Sequence, residues 1–215
     1  MPRVNYVNEL NTLINDVRVV GAQLEETMDK VIQNLDDKNA VLAKSIRKAD
    51  KQFNEREHNI MEKCLTLVLT QAPVATDWRE IASIMEMVID IERIADHCSD
   101  ISKYTALLSE LSPVQIPDYF YSMVDVTREM LHNSVMCFSE NDAELAKKII
   151  ATDDVVDNYF SRYRKDIVEF IKANPENTEQ YINYLLIAKY IERIADHTTN
   201  IAEWVIYIAK SELSI

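Results

Sequence analysis

Residues 91–97 read IERIADH, and residues 191–197 repeat the same seven letters 100 positions later. Apolar residues recur around both copies at steps of three and four, the spacing of one buried face of an α-helix. These positions are Ile81, Ile84, Val88, Ile91, Ala95 and Cys98 around the first copy, and Tyr181, Tyr184, Ala188, Ile191, Ala195, Thr198, Ala202 and Val205 around the second. Both copies are therefore predicted to lie on long helices that bury equivalent faces.

The segments that precede these two helices are duplicated as well. Their apolar positions match at a shift of 103 residues, pairing Leu42, Ile46, Ala49, Phe53, Ile60, Cys64 and Leu67 with Leu145, Ile149, Thr152, Val156, Tyr163, Ile167 and Phe170. Self-similarity at a fixed period indicates one supersecondary unit that occurs twice. A single glycine and five prolines in 215 residues leave few positions for the turns that connect strands.

We therefore predict an all-α fold of two tandem antiparallel three-helix bundles related by internal duplication. Breaks are expected at Pro73, at Pro175 and near residues 139–141. The first bundle is predicted over residues 1–112 and the second over 117–215, joined by a linker at 113–116.

The first helix is predicted over about residues 4–35. Its apolar seam comprises Val7, Leu10, Ile14, Val17, Leu24, Met28, Val31 and Leu35. Gly21 falls on this seam, where the missing side chain lets a neighbouring helix approach closely.

Charge and cysteine content narrow the classes of function. The 36 acidic residues outnumber the 23 basic ones, and the resulting net charge of -13 disfavours nucleic acid or an anionic membrane as a partner. Three widely spaced cysteines in apolar surroundings are typical of reduced core thiols in a cytoplasmic protein. Because no apolar run of signal-peptide or membrane-spanning type is evident, we expect neither a secretory leader nor membrane insertion, and we predict a cytoplasmic location.

Each copy of the repeated word carries a pair of carboxylates, and packing of an apolar core does not explain why charged residues occupy these positions. Glu92 and Asp96 are four residues apart, as are Glu192 and Asp196, so each pair shares a helix face and repels unless a cation lies between the side chains. Asp100 and Asn200 add a third oxygen donor to the respective stripes. Hard metal cations prefer such oxygen ligands.

The preceding helices offer matching residues at equivalent positions. In an antiparallel hairpin, Asp50 and Asn54 should lie level with residues 94–98, and Asp153 and Asp157 with residues 194–198. We predict one metal site in each half. The other interpretation is a solvated acidic flank that pairs with Arg93 and Arg193, but duplication of both carboxylate pairs in register favours metal.

The repeated ERIADH word, on helices 100 residues apart and preceded by an Asp-x3-Asp/Asn pair, resembles the PhoU family of phosphate-signalling proteins over the whole chain. The resemblance implies two three-helix repeats with surface metal clusters. The motif ligands that it implies are Glu92, Asp96, Glu192, Asp196 and Asn200, with Asp50, Asp153 and Asp157 as partners from the neighbouring helices. Asn54 and Asp100 complete the predicted ligand set from their spacing. Asn54 and Asp100 differ from their second-half counterparts, so equal metal affinity in the two halves is not expected. The metal could be iron, zinc, manganese or magnesium.

The same resemblance implies a cytoplasmic negative regulator of phosphate uptake and of the phosphate-starvation response. Such a protein links the ATPase subunit of a phosphate ABC transporter to a sensor histidine kinase, and family habit suggests a homodimer. A mechanism that follows is docking through the helical faces, with the metal clusters holding the docking geometry.

Two other functions remain open from the residues alone. Glu55/His58 and Glu129/His132 spell the Glu-x2-His pattern of ferritin-like di-iron bundles, although neither pair has a counterpart in the other half. A metal-free helical scaffold for partner proteins is the other. His97 and His197 are expected at outward positions, bonded to a neighbouring helix. Because no nucleophile–base set for catalysis is evident, we do not expect an enzyme.

Overall fold

Six long helices form the protein in the computed structural model, which describes residues 2–71 and 73–210, with side chains described over 6–71 and 73–209. The helices are α1 Pro2–Asp37, α2 Ala40–Gln71, α3 Ala75–Leu108, α4 Asp118–Glu140, α5 Ala143–Ala173 and α6 Thr178–Lys210, with a 3-10 turn at Pro175–Asn177. No strand occurs in the described ranges. The predicted all-α fold of two tandem three-helix units is confirmed. Predicted features at residues 1, 72 and 211–215 lie outside the described residues.

Polar side chains form the tight turns between helices. Asn39 accepts hydrogen bonds from the amides of Val41 and Leu42 at 2.9 and 3.1 Å, which begins α2. The predicted break near residues 139–141 is confirmed, because Asn141 adopts a left-handed conformation with φ 52° at the end of α4. Asp142 then accepts from the first amides of α5. The predicted linker, residues 113–116, lies in the longer connection from α3 to α4.

The helices α3 and α6, which carry the repeated word, pack against each other at the centre of the molecule. Asp90 meets Asn200 and Asp100 meets Tyr190, so the two helices run antiparallel. Outside them, α2 lies against α3 and α5 against α6, while α1 and α4 cover one side and touch each other. The two halves thus share one continuous hydrophobic core. All apolar positions predicted for α3 and α6 are buried.

The seam predicted for α1 needs one correction. Val7 is 47% exposed, whereas Leu13 and Val20, which were not on the predicted seam, are buried. Ile14, on the predicted seam, is only half-buried. Two heptad frames fit the apolar residues of this segment, and the helix buries the frame at 10, 13, 17, 20 and 24, which turns Val7 away from the core. The close approach predicted at Gly21 is confirmed, because a Cβ there would lie 3.1 Å from both methyl carbons of Val135 on α4.

The three cysteines are free and buried, as predicted. Burial raises the pKa of the Cys64 thiol to about 11 and that of the Cys98 and Cys137 thiols to about 12. These thiols therefore stay protonated and pack as small apolar groups. The helices of the described chain also include none with an apolar stretch sufficient to cross a lipid bilayer.

Candidate metal centres

The first group of predicted ligands assembles where α2 lies against α3. The carboxyl group of Asp50 faces that of Asp96 and lies near Asp100. Asn54, with its amide turned so that Nδ2 faces α3, donates to Oε1 of Glu92 at 3.3 Å. The predicted alignment of the two helices is therefore confirmed. We call this group the first cluster, and its members are Asp50, Asn54, Glu57, Glu92, Asp96 and Asp100.

Burial and mutual repulsion strain the first cluster electrostatically. Burial, and next the charge of Asp96, raise the pKa of Asp50 to about 6. Oδ1 of Asp50 is buried and has no hydrogen-bond partner. Burial and then Asp96 also raise the pKa of Glu92, and Arg93 opposes that rise. The guanidinium of Arg93 lies 3.7 Å from Glu92 and 3.5 Å from Asp96, so it neutralises the cluster only in part.

The second group assembles in the same way where α5 lies against α6. It comprises Asp153, Asp157, Glu192 and Asp196, and we call it the second cluster. Burial, followed by the charges of Asp196 and Asp157, raises the pKa of Asp153 to about 6. Oδ1 of Asp153 is buried without a partner, like that of Asp50. Asp50 and Asp153, which are equivalent in the repeat, thus have similar electrostatic surroundings.

Lysine rather than arginine supplies the close countercharge in the second cluster. Nζ of Lys189 donates to Oε2 of Glu192, whose side chain is only 12% exposed. The same ammonium group lies 5.3 Å from the ring centre of Phe160. Burial raises the pKa of Glu192, and the hydrogen bond from Lys189 opposes that rise. Lys189 therefore occupies one carboxylate oxygen that a metal ion would need.

Asn200, predicted as a ligand of the second site, makes its bond across the centre of the molecule. Its Nδ2 donates to Oδ1 of Asp90 on α3 at 3.0 Å, and Nδ1 of His197 lies 2.8 Å from the same oxygen. Asp100, the counterpart of Asn200, interacts with Tyr190 in the matching position. These contacts tie the inner edges of both clusters to the seam between α3 and α6. Metal ligation by Asn200 stays a prediction.

The two histidines of the repeated word differ in surroundings. His197 bonds to the neighbouring helix, as expected. His97, expected at the surface, is only 7% exposed, and both of its ring nitrogens lack a partner. Its ring packs 5.5 Å from Tyr190 and 5.4 Å from His197. Burial, and then the charge of His197, lower the pKa of His97 to about 4, so its ring stays neutral near pH 7.

Sequence reasoning missed two residues that belong to these surroundings. Glu57 contributes a charge beside Glu92. Its spacing could have shown this, because it lies seven residues after Asp50 and three after Asn54 on the same helix face. Lys189 lies three residues before Glu192, which places both on one face. Neither Glu57 nor Lys189 has an equivalent in the other half, so the comparison of the two repeats gives no signal for either residue.

The donor chemistry of both clusters fits a hard cation. Carboxylate oxygens predominate, and one buried oxygen in each cluster is unpartnered, which a positive ion would satisfy. Over the residues described, no three histidine, cysteine or acidic side chains lie close enough to hold one ion together. Repulsion between like charges keeps the carboxylates apart, so side-chain rotation is needed for three oxygens to reach one ion. The identity of the ligands stays a prediction.

The ferritin-like alternative finds no support in the placement of its residues. Glu55 and His58 are exposed on the outer face of α2, away from any bundle core. Glu129 and His132 are exposed on α4, where Nδ1 of His132 lies 3.1 Å from Glu25 of α1. A di-iron centre of that class requires inward-facing ligands on four helices. The exposed positions of these pairs do not provide them.

Comparison with known proteins identifies a family. The profile described as PhoU domain matches residues 17–105 and 120–205. The chain is 30% identical to the phosphate-specific transport system accessory protein PhoU homolog of Borreliella burgdorferi, over 88% of this chain and 89% of that protein. It is also 30% identical to the Aquifex aeolicus homolog of the same name, with coverage of 95% and 93%.

Solved structures agree with this result. The crystal structure of PhoU from Pseudomonas aeruginosa superposes with a TM-score of 0.93 at 28% identity, covering 96% of this chain and all of the other. The phosphate transport system regulatory protein PhoU from Streptococcus pneumoniae superposes with a TM-score of 0.90 at 27% identity, with coverage of 98% and 99%. The similarity therefore extends over both halves of the chain.

Proposed function

The chain belongs to the PhoU family, and from this membership we propose that it is a cytoplasmic negative regulator of phosphate uptake and of the phosphate-starvation response. The coarser part of this statement, a role related to phosphate transport, follows from the homologous accessory proteins. The finer part is that the protein connects the ATPase subunit of a phosphate ABC transporter to a sensor histidine kinase. We expect a binding protein without catalytic activity, acting as a homodimer.

The duplicated carboxylate clusters support a metal-dependent form of this regulation. Asp50 and Asp153 are half-buried, each has an unpartnered oxygen, and each lies among further carboxylates. Packing alone does not favour this arrangement, because removing an unpaired carboxylate from water costs free energy even when solvent screens part of its charge. We propose that Asp50, Glu92 and Asp96 hold a cation in the first half, and Asp153, Asp157, Glu192 and Asp196 in the second.

Bound cations would supply positive charge that fixes α2 against α3 and α5 against α6. Arg93 supplies part of that charge already in the first half. Fixing these helix pairs makes the outer faces of α2 and α5 rigid, which lowers the entropy lost when a partner docks. Free phosphate is not the ligand we propose, since bare carboxylates repel it.

The test of the metal-dependent function is elemental analysis of the purified protein beside two charge-matched variants. The cluster variant carries Glu92→Gln, Asp96→Asn, Glu192→Gln and Asp196→Asn. The control variant carries the same number and type of changes at exposed positions outside both clusters, namely Glu62→Gln, Glu129→Gln, Asp37→Asn and Asp125→Asn. Circular dichroism establishes that all three proteins are helical before metal is measured.

We expect the native protein and the control variant to retain metal and the cluster variant to lose it. Binding to the transporter's ATPase subunit and to the sensor kinase is then measured with the same three proteins. Loss of both metal and partner binding in the cluster variant supports metal-dependent docking. If the cluster variant binds its partners as well as the control, the metal-free scaffold replaces this proposal.

A further inference from the structure

Four basic side chains form a stripe along the first half of α2. Lys44, Arg47, Lys48 and Lys51 occupy positions i, i+3, i+4 and i+7, which share one helix face. All four are exposed. Ile46 and Phe53, on the opposite face of the same helix, are buried in the core. We call these four residues the α2 basic stripe, and it points directly away from the body of the protein.

The stripe is not neutralised by the protein itself. In the portion of the chain that the structure covers, none of its four members forms an ion pair, although Lys63 further along α2 pairs with Asp16 at 2.6 Å. Asp50, which follows Arg47 by one turn, is directed towards α3 and Asp96. Of the long helices, α2 contacts only α1 and α3, so its outer face is covered by no other described element. Glu55, exposed four residues after Lys51 on the same helix face, reduces this charge, so the outer face of α2 presents a net charge of +3 from four basic residues and one acidic residue.

The repeat fold does not require this charge. In the second half, the equivalent positions of α5 are Lys147, Ile150, Ala151 and Asp154, which sum to zero charge at pH 7. Helix stability does not favour it either, because cations near a helix N-terminus oppose the helix dipole and Lys44 lies close to the start of α2. A group of four cations that the duplicated helix lacks points to a role outside the fold.

The net charge of -13 disfavours an anionic membrane as a partner of the average surface, but it does not cancel the local field of the stripe. Charges separated by more than a Debye length, about 8 Å at physiological salt, are largely screened from each other. Neighbouring helices are spaced by about 8–10 Å, so the acidic residues of α5 and α6, which do not contact α2, lie about two screening lengths from its outer face, whereas those of α1 and α3 lie one helix away, behind that face. An approaching anionic surface therefore meets the stripe before it meets the acidic remainder.

We propose that the α2 basic stripe is a peripheral contact site for the anionic phospholipid headgroups of a membrane surface. Clusters of four or more lysine and arginine residues on one helix face attract such headgroups. Three of the four cations are lysine, which is depleted at protein–protein interfaces, and this composition favours a diffuse anionic surface over an acidic protein. Val41, 79% exposed on the first turn of α2, adds one small apolar contact at the edge of the stripe. The stripe is expected to hold α2 against the headgroups without insertion of a helix.

The test is flotation of the full-length protein with vesicles of pure phosphatidylcholine and with vesicles that also contain phosphatidylglycerol. The wild type should float only with the anionic vesicles and should be released as salt is raised from about 50 mM to 500 mM. A stripe variant with all four residues changed to glutamine should bind at least about tenfold more weakly. A control variant loses the same charge from exposed positions of α5, through Lys148→Gln, Arg164→Gln, Lys165→Gln and Lys172→Gln.

The control variant separates a local site from the effect of net charge. Retained binding by the control and lost binding by the stripe variant support the proposal, provided that both variants keep the helical content of the wild type. Equal loss in both variants overturns it, because net charge then explains the result. Failure of the wild type to float with anionic vesicles also overturns it and leaves an acidic protein surface as the partner of the stripe. Neither result bears on metal retention, so the two proposals fail independently.

Discussion

The two carboxylate clusters occupy equivalent places in the two halves but are neutralised by different residues. Arg93 contacts both Glu92 and Asp96 in the first cluster at 3.5 to 3.7 Å. In the second, Lys189 bonds to Glu192 alone. The counterpart of Lys189 is Ile89, and the counterpart of Glu57 is Phe160. The first cluster therefore has one more carboxylate and no competing lysine.

Duplication has therefore preserved the carboxylates, while the residues around them have diverged. The ammonium group of Lys189 must leave Oε2 of Glu192 before this oxygen can bind a metal ion. The guanidinium of Arg93, at 3.5 to 3.7 Å, leaves the lone pairs of the Glu92 and Asp96 carboxylates accessible. We therefore expect the first cluster to take up metal ahead of the second.

Replacing Lys189 by isoleucine, the residue of the first half, should raise the affinity of the second cluster for Mn²⁺. The background carries Glu92→Gln and Asp96→Asn, so that only the second cluster binds. Removing a cation in contact with a ligand oxygen should strengthen binding by about tenfold to a hundredfold, after allowance for the partial solvent exposure of the lysine. Isothermal titration calorimetry measures the affinity.

The reciprocal change provides the control for Lys189. Ile89→Lys, in a background with Glu192→Gln and Asp196→Asn, should weaken Mn²⁺ binding by the first cluster. If Mn²⁺ binds but neither exchange alters its affinity, the lysine does not compete with metal. If no variant binds any metal, the cluster function itself is wrong.

The histidines of the repeated word should respond in opposite directions to one substitution. His197→Phe leaves the buried carboxylate of Asp90 with one hydrogen-bond donor fewer and should destabilise the protein by about 1–3 kcal/mol. His97→Phe replaces a ring whose nitrogens are buried without partners, so it should be neutral or stabilise by up to about 1 kcal/mol. Urea unfolding at pH 7 measures both changes. Equal losses would show that the two rings have equivalent environments.

Much of the architecture was predictable because the buried faces follow helical spacing. The core positions of α3 and α6 follow from helical periodicity. The proximity of Asp50 to Asp96 follows from the antiparallel pairing of α2 with α3. The seam of α1 was less predictable, because Val7, Leu13 and Val20 are all apolar and two heptad frames fit the sequence, so packing against the neighbouring helices decides which frame is buried. Periodicity selects a face, but it does not fix the angle of a long helix along its whole length.

The contacts across the centre of the molecule could not be predicted from one half. Asn200 and His197 meet Asp90 because α3 and α6 cross antiparallel, and the sequence of neither helix specifies that crossing. The burial of His97 has the same origin, since Tyr190 of the other half covers its ring. Lys189 could not be predicted from the repeat, because the equivalent residue of the first half is Ile89.

Asp50 and Asp153 should each make the apoprotein less stable as pH rises. Their pKa of about 6 in the folded protein exceeds the ordinary value of 3.8, so the folded state binds protons more tightly than the unfolded state. The resulting stability is fully present below about pH 4 and is lost as pH rises through about 6. Each contribution should amount to about 1 kcal/mol after allowance for solvent screening.

The corresponding asparagine variants isolate this effect. Asp50→Asn and Asp153→Asn should each be more stable than the wild type at pH 7 by about 1 kcal/mol and equal to it near pH 4, with a chelator present throughout. Asp125→Asn, at an exposed position outside both clusters, is the control and should differ from the wild type at neither pH. If the difference in unfolding free energy between the wild type and Asp50→Asn does not change with pH, the raised pKa of Asp50 is contradicted.

Gly21 lies on α1, and the buried Val124 occupies the corresponding position of α4 at the shift of 103 residues. Gly21→Ala gains up to about 1 kcal/mol of helix propensity, but its Cβ would lie 3.1 Å from Val135, which must shift by a few tenths of an ångström. The net change in unfolding free energy should therefore be below about 0.5 kcal/mol. With Val135→Ala, where the contact is relieved, the same substitution should stabilise by about 1 kcal/mol. If Gly21→Ala has the same effect in both backgrounds, contact with Val135 does not explain the glycine.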